Sequence, residues 1–199
     1  MKHICIILIG IISIVSCKNK PTPSKGAGEN QADTTSSYMP INDFISEDIK
    51  QIDSFAGGIL LKTSGTVKKD SAFIQPEKFK QLAAMFSSPE LDSTIFNNQF
   101  SETSLMDEST NMLNFIYTAK NDQSQIRKAI VYVSPGVSTD KVNRIYLEKE
   151  LKSGDTIISQ KLTWKLRQYL IIAEIRQTTG GYESTSIRKA IWDAQLYAD

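Results

Sequence analysis

The stretch Thr156–Thr178 reads TIISQKLTWKLRQYLIIAEIRQT. Ile158, Leu162, Trp164 and Leu166 alternate with Ser159, Lys161, Thr163 and Lys165, the period of two that a half-buried strand requires. Leu166-Arg167-Gln168 leaves room only for a tight connection, so Tyr169–Ile175 returns as an antiparallel neighbour. In the returning strand, Tyr169-Leu170-Ile171-Ile172-Ala173 is apolar on both faces. Helices on one side of such a sheet would leave Leu170 and Ile172 against water. That face is then covered by the chain itself, curled around an apolar cavity, or met by a partner, with coverage by the chain the first expectation. Leu170, Ile172, Trp164 and Trp192 are accordingly the candidate residues for binding a ligand or partner.

The same alternation extends outward in both directions. Thr179-Gly180-Gly181 marks a turn before a last strand at Ser184–Trp192, which is expected to close the sheet. Upstream, Lys152-Ser153-Gly154-Asp155 marks a hairpin after Ile145, Leu147 and Leu151, and Ser134-Pro135-Gly136 ends a strand at Ile126–Val133. Leu113, Phe115, Tyr117 and Ala119 form one more. Before residue 100 the period is helical. Ile41, Phe44, Ile45, Ile49 and Ile52 share one helix face, ended by Gly57-Gly58, and a short strand follows at Ile59–Thr63. Pro76 opens a second helix with Phe79, Leu82, Ala83 and Phe86 inward. Ser88-Pro89-Glu90 opens a third with Leu91, Ile95 and Phe96 inward. Helices first and strands after predict an α+β domain, with N-terminal helices packed on one face of a curved antiparallel β-meander.

The whole chain has 199 residues, 40% hydrophobic and 23% charged, with a net charge of +1. That composition excludes a collagen, a disulfide miniprotein and a polytopic membrane protein, and gives no overall attraction to nucleic acid.

The N-terminus has a different character. Lys2 and His3 precede a run from Ile4 to Val15 interrupted only by Gly10 and Ser13. As a helix the run is about 18 Å long, short of the roughly 30 Å hydrocarbon core of a bilayer. It reads as the apolar region of a secretory signal peptide at residues 1–16. The sequence Ile14-Val15-Ser16-Cys17 that follows resembles the lipobox of bacterial lipoproteins. The resemblance implies cleavage before Cys17 and a diacylglyceryl group on its sulfur. Several acyl chains hold a protein on a membrane where one alone binds marginally. Lys18 stands where the inner-membrane retention signal of enterobacterial lipoproteins has Asp, so the resemblance favours the outer membrane. Whether the protein faces the periplasm or the outside stays open.

Residues 17–38 hold no aliphatic side chain larger than Ala27 and predict a flexible tether spanning about 25 Å. The remaining chain, 39–199, is read as one domain.

Processing at Cys17 would remove the only His, His3, together with Cys5, and block the other Cys with lipid. Losing Lys2 turns 23 basic residues into 22, against 22 acidic. A chain without His or free Cys lacks the Ser-His-Asp and Cys-His nucleophile systems and the usual zinc, haem and iron–sulfur ligands. No cofactor and no enzymatic activity are expected.

Three constellations of polar residues stand out. Ser138-Thr139-Asp140-Lys141, Lys152-Ser153-Gly154 and Ser109-Thr110-Asn111 resemble the penicillin-binding and β-lactamase signature, but their order and spacing depart from it. Glu148 and Glu150 share one face of a strand, interleaved with Lys149 and Lys152 on what reads as the wet side. Lys161, Lys165, Arg167, Arg176, Arg188 and Lys189 could gather into a basic patch facing anionic lipid or polysaccharide. The expected partners are therefore the membrane through the lipid anchor, and an envelope protein or apolar small molecule, without nucleic acid.

Overall fold

A computed structural model describes residues 38–54, 57–136 and 141–198. The signal peptide, Cys17 and residues 18–37 of the expected tether lie outside the described residues, as do Ser138, Thr139 and Asp140, whereas Tyr38, read as the end of the tether, packs against the core. Residues 36–199 form one compact unit. Its helices are α1 (Ile41–Ser54), α2 (Pro76–Ala83) and α3 (Ser93–Gln99). Its strands are β1 (Ile59–Gly65), β2 (Asp70–Ile74), β3 (Phe100–Asp107), β4 (Met112–Ala119), β5 (Ile126–Ser134), β6 (Lys141–Ser153), β7 (Thr156–Lys165), β8 (Tyr169–Thr178) and β9 (Glu183–Ile191).

All nine strands belong to one antiparallel sheet in the order β2-β1-β9-β8-β7-β6-β5-β4-β3. From β3 to β9 each strand pairs with the next in the chain, the geometry that short hairpins impose. The mixed helical and antiparallel content matches the sequence pattern, but the order does not run helices first. The β1–β2 hairpin separates α1 from α2. β1 pairs with β9, so β9 is an interior strand and does not close the sheet.

Local chemistry accounts for the element ends. Pro76 occupies the first turn of α2, where its missing N–H costs no hydrogen bond. Ser88 caps a 3-10 turn at Pro89–Leu91 through Glu90 N, and Asp92 caps α3 through Thr94 N. Leu91 and Phe96 are buried as the periodicity requires. Ile95 is 37% exposed, because α3 is a two-turn helix whose inward face has room for Phe96 alone. Gly154 takes φ +60° in the β6–β7 turn.

One face of the sheet carries the core. Across it, Phe115, Val131, Ile145, Trp164, Leu170 and Ala190 are register partners from β4 to β9. Leu147, Leu162 and Ile172 form the next row on the same face, two residues along each strand. These side chains join Ile41, Ile45, Phe79, Leu82, Phe86, Leu91 and Phe96 from the helical segments in a single cluster. The face bearing Leu170 and Ile172 is thus covered by the chain's own elements.

Candidate functional site

Trp164, Leu170 and Ile172 are fully buried within the core and present no free surface. Trp192, just past β9, is only partly buried. Its ring lies 5.5 Å from Trp164 and 5.4 Å from Phe79, and Phe86 meets Trp164 edge-on at 5.1 Å. These four rings bound one end of the core. Beside Trp192 opens a cavity of about 340 Å³, lined also by Asp48, Gln51, Ile52, Arg167 and Asp193.

Asp48 organises that end. It is buried, accepts the Trp164 indole N–H at 2.7 Å and takes the Arg167 backbone N–H at 3.0 Å. Burial raises its pKa, while those two hydrogen bonds and the Arg167 charge act in the opposite direction. Arg167 holds φ +64°, a left-handed conformation uncommon outside glycine, inside the β7–β8 turn. The carboxylate's bond to its N–H stabilises that conformation. The indole N–H of Trp192 is buried with no hydrogen-bond partner among the described residues.

The opposite face of the sheet is a different surface. Its side chains are half-exposed or exposed over most of its width. One cross-strand row runs Ile116, Ile130, Tyr146, Thr163, Ile171 and Lys189, and continues onto Lys62 of β1. Beside it, Tyr132, Arg144, Lys165 and Tyr169 are register partners. On the other side lie Lys128, Glu148, Lys161, Ala173 and Ile187. The guanidinium of Arg144 stacks 3.9 Å from the Tyr132 ring centre, and Lys189 lies 4.9 Å from that of Tyr169. Burial, then the Arg144 charge, lowers the Lys165 pKa.

The six basic residues named from sequence therefore divide. Lys161, Lys165 and Lys189 share this open face. Arg176 and Arg188 lie on the core face and turn to Glu174, at 2.6 Å and 3.5 Å, while Arg167 belongs to the turn. In their place the register brings Lys62, Lys128 and Arg144 onto the open face. The strand pairing, which joins residues of β1, β5 and β6 far apart in the chain, is what shows that they meet.

Glu148 and Glu150 do lie on the open face. Glu148 accepts the Tyr146 hydroxyl at 2.9 Å and Glu150 pairs with Arg127 at 2.9 Å, so each is committed to a neighbour. Lys149, expected on the same wet side, is instead buried and donates to the Met85 carbonyl at 2.6 Å. The strand alternation that exposes Glu148 and Glu150 turns the residue between them inward. Ser109 lies in the β3–β4 turn, bound to Asp107 at 2.6 Å, and Lys152 is exposed near the end of β6.

Among the described residues no group of three His, Cys, Asp or Glu is placed to hold a metal ion, and no helix is long and apolar enough to cross a membrane. Compared with known proteins, the chain matches no family model, no curated protein and no solved structure.

Proposed function

We propose that the chain is a membrane-anchored lipoprotein of a bacterial cell envelope, with Cys17 carrying the lipid and residues 39–199 acting as a non-enzymatic binding domain. In this reading the helices cover one face of a curved sheet, and the other face meets another envelope component. The observation that carries the binding role is the division of the sheet. One face is spent on the core, while the other presents aligned rows of aliphatic, tyrosine and basic side chains. The outer membrane is the favoured address, because Lys18 follows the lipidated position.

The test is metabolic labelling with an alkyne palmitate during expression in a Gram-negative host, followed by membrane fractionation. The parent should take up label and fractionate with the outer membrane. Cys17→Ala should take up none and leave that fraction. A parent that takes up no label would refute the anchor.

A second reading, a carrier for an apolar small molecule, is favoured by the cavity beside Trp192, whose wall includes Ile52 and Ala194. Native mass spectrometry of residues 39–199, purified from a periplasm without detergent, tests it. A mass excess that disappears on denaturation supports the carrier, and a bare mass refutes it.

A further inference from the structure

We propose that the open face of the sheet docks on the anionic surface of a lipid bilayer, giving the domain a second membrane attachment besides the lipid at Cys17. The choice of a bilayer as occupant rests on the anchored reading above. The charge and the apolar pattern of the face come from the structure alone.

Charge comes first. Over the three central rows, Lys62, Lys128, Arg144, Lys161, Lys165 and Lys189 stand against the carboxylate Glu148, which is bonded to Tyr146, and the two rows beyond add Glu150, paired with Arg127, and Glu183. The chain as a whole has a net charge of only +1, so these cations are concentrated on one face. Such a concentration draws an anionic partner, and draws it less as salt rises.

The apolar pattern then selects the kind of partner. Ile157, Ile175 and Ile187 are 41%, 41% and 47% exposed, and all three belong to this face. Ile157 opposes Gln177, two residues beyond Ile175 on β8, and Ile175 opposes Thr185, two residues before Ile187 on β9. The three therefore form one diagonal across β7, β8 and β9, ending beside Lys189. A soluble polyanion has nothing to gain from exposed isoleucines. The interfacial layer of a membrane offers headgroup charge and acyl chain together.

At the end of this diagonal a cavity of about 520 Å³ is lined by Lys62, Lys69, Lys189, Ser71 and Ile187, together with Asp70, whose carboxylate is held by Lys68 at 2.7 Å. Three ammonium groups around a cavity with an isoleucine in its wall suit the phosphate of an anionic lipid headgroup. In the anchored reading, a lipid at Cys17 would keep this face at high effective concentration over the same bilayer.

The test uses residues 36–199, which form the compact unit and hold the core from Tyr38 to Trp192. Its sedimentation is measured with vesicles of phosphatidylcholine alone and with vesicles containing about 30 mol % phosphatidylglycerol. Binding is expected on the anionic vesicles alone and should fall steeply with added salt. Lys161→Gln with Lys189→Gln should weaken it roughly 25-fold. Ile175→Ser with Ile187→Ser should weaken it about tenfold. Lys50→Gln with Lys78→Gln, changed on exposed helix positions, should leave it within about twofold. All variants are compared at matching melting temperature.

Equal binding to both vesicles, or none, overturns the proposal. So does a parent that binds a soluble sulfated polysaccharide as well as it binds vesicles while the isoleucine variant binds like the parent, since that identifies a polyanion as the occupant. Failure of palmitate labelling would refute the anchor without altering these vesicle results.

Discussion

The carboxylate of Asp48 on α1 and the indole N–H of Trp164 on β7 meet at 2.7 Å across 116 residues of chain, both buried. The same carboxylate bonds the Arg167 backbone in the turn that follows β7, so one side chain fixes a helix, a strand and a strained turn against each other. A buried donor pair satisfied by one acceptor makes that acceptor costly to lose.

Asp48→Ala would leave the indole and the Arg167 amide unpaired and should lower the unfolding free energy by about 2–4 kcal/mol. Asp48→Asn keeps an acceptor for one donor but points an amide at the other, and should cost about half as much. Urea titration followed by tryptophan fluorescence measures both. An Asp48→Ala midpoint within error of the parent would show that the contact adds nothing to stability.

Glu174 should make stability depend on pH in the acid range. Burial by itself would raise its pKa, yet the hydrogen bonds from Arg176 and Gln160 and the Arg176 and Arg188 charges bring it below the ordinary value. With a folded pKa below the unfolded one, its contribution is present above the ordinary glutamate range near 4.3 and is lost as pH falls through the folded value. Glu174→Gln should remove that part of the slope and cost about 1.5–3 kcal/mol at neutral pH. Urea midpoints between neutral and acid pH decide it; a variant whose midpoints fall with acid as steeply as the parent's excludes Glu174 as the source.

Much of this architecture is legible from side-chain period. Strands β4 to β9 carry their core residues at every second position, and α1 and α2 carry theirs at helical spacing, so both classes of element announce themselves. β2 and β3 do not. Asp70–Ile74 and Phe100–Asp107 are edge strands with mostly exposed side chains, and an edge has little burial to pattern. Lys149 reads as solvent-facing because a charge signals water unless a partner far along the chain, here the Met85 carbonyl, is known. Of the four candidate binding residues Trp192 lines a cavity, whereas Trp164, Leu170 and Ile172, which look the same in sequence, belong to the core. The basic face is a property of register, which joins residues from Lys62 to Lys189 that no local window contains.

Gly65 is required where β1 crosses β9. A Cβ there would lie 2.3 Å from the Thr185 carbonyl oxygen and 2.9 Å from Ser186 Cα, both backbone atoms of the paired strand. Gly65→Ala should therefore push β1 from β9 and cost about 2 kcal/mol or more. Gly154→Ala meets no neighbouring atom but must hold φ +60°, and should cost about 1–2 kcal/mol. Amide hydrogen exchange separates the two. Gly65→Ala should speed exchange in β1 and β2, and Gly154→Ala at the β6–β7 turn. Unchanged protection of β1 in Gly65→Ala would mean the strands absorb the methyl group.

Lys149 provides a last contrast, between the stem of a side chain and its charge. Its ammonium group donates to the Met85 carbonyl at 2.6 Å and reaches that of Ser87 at 3.4 Å, closing the 3-10 turn Ala84–Phe86 against β6. Burial lowers its pKa, with the Glu90 charge opposing. Lys149→Met keeps the stem and loses the donor, and should cost about 1 kcal/mol, because the desolvation of the charge is relieved as the hydrogen bonds are lost. Lys149→Ala also opens a cavity and should cost about 3 kcal/mol. The sign of the pH effect follows from the lowered value. Between the folded pKa and the unfolded one near 10.4 the unfolded chain holds a proton that the folded chain has released, so parent stability gains with rising pH. Lys149→Met should lack that gain. Urea midpoints from neutral to alkaline pH measure it, and a Lys149→Met variant as damaged as Lys149→Ala would assign the stabilisation to the ammonium group and not to the stem.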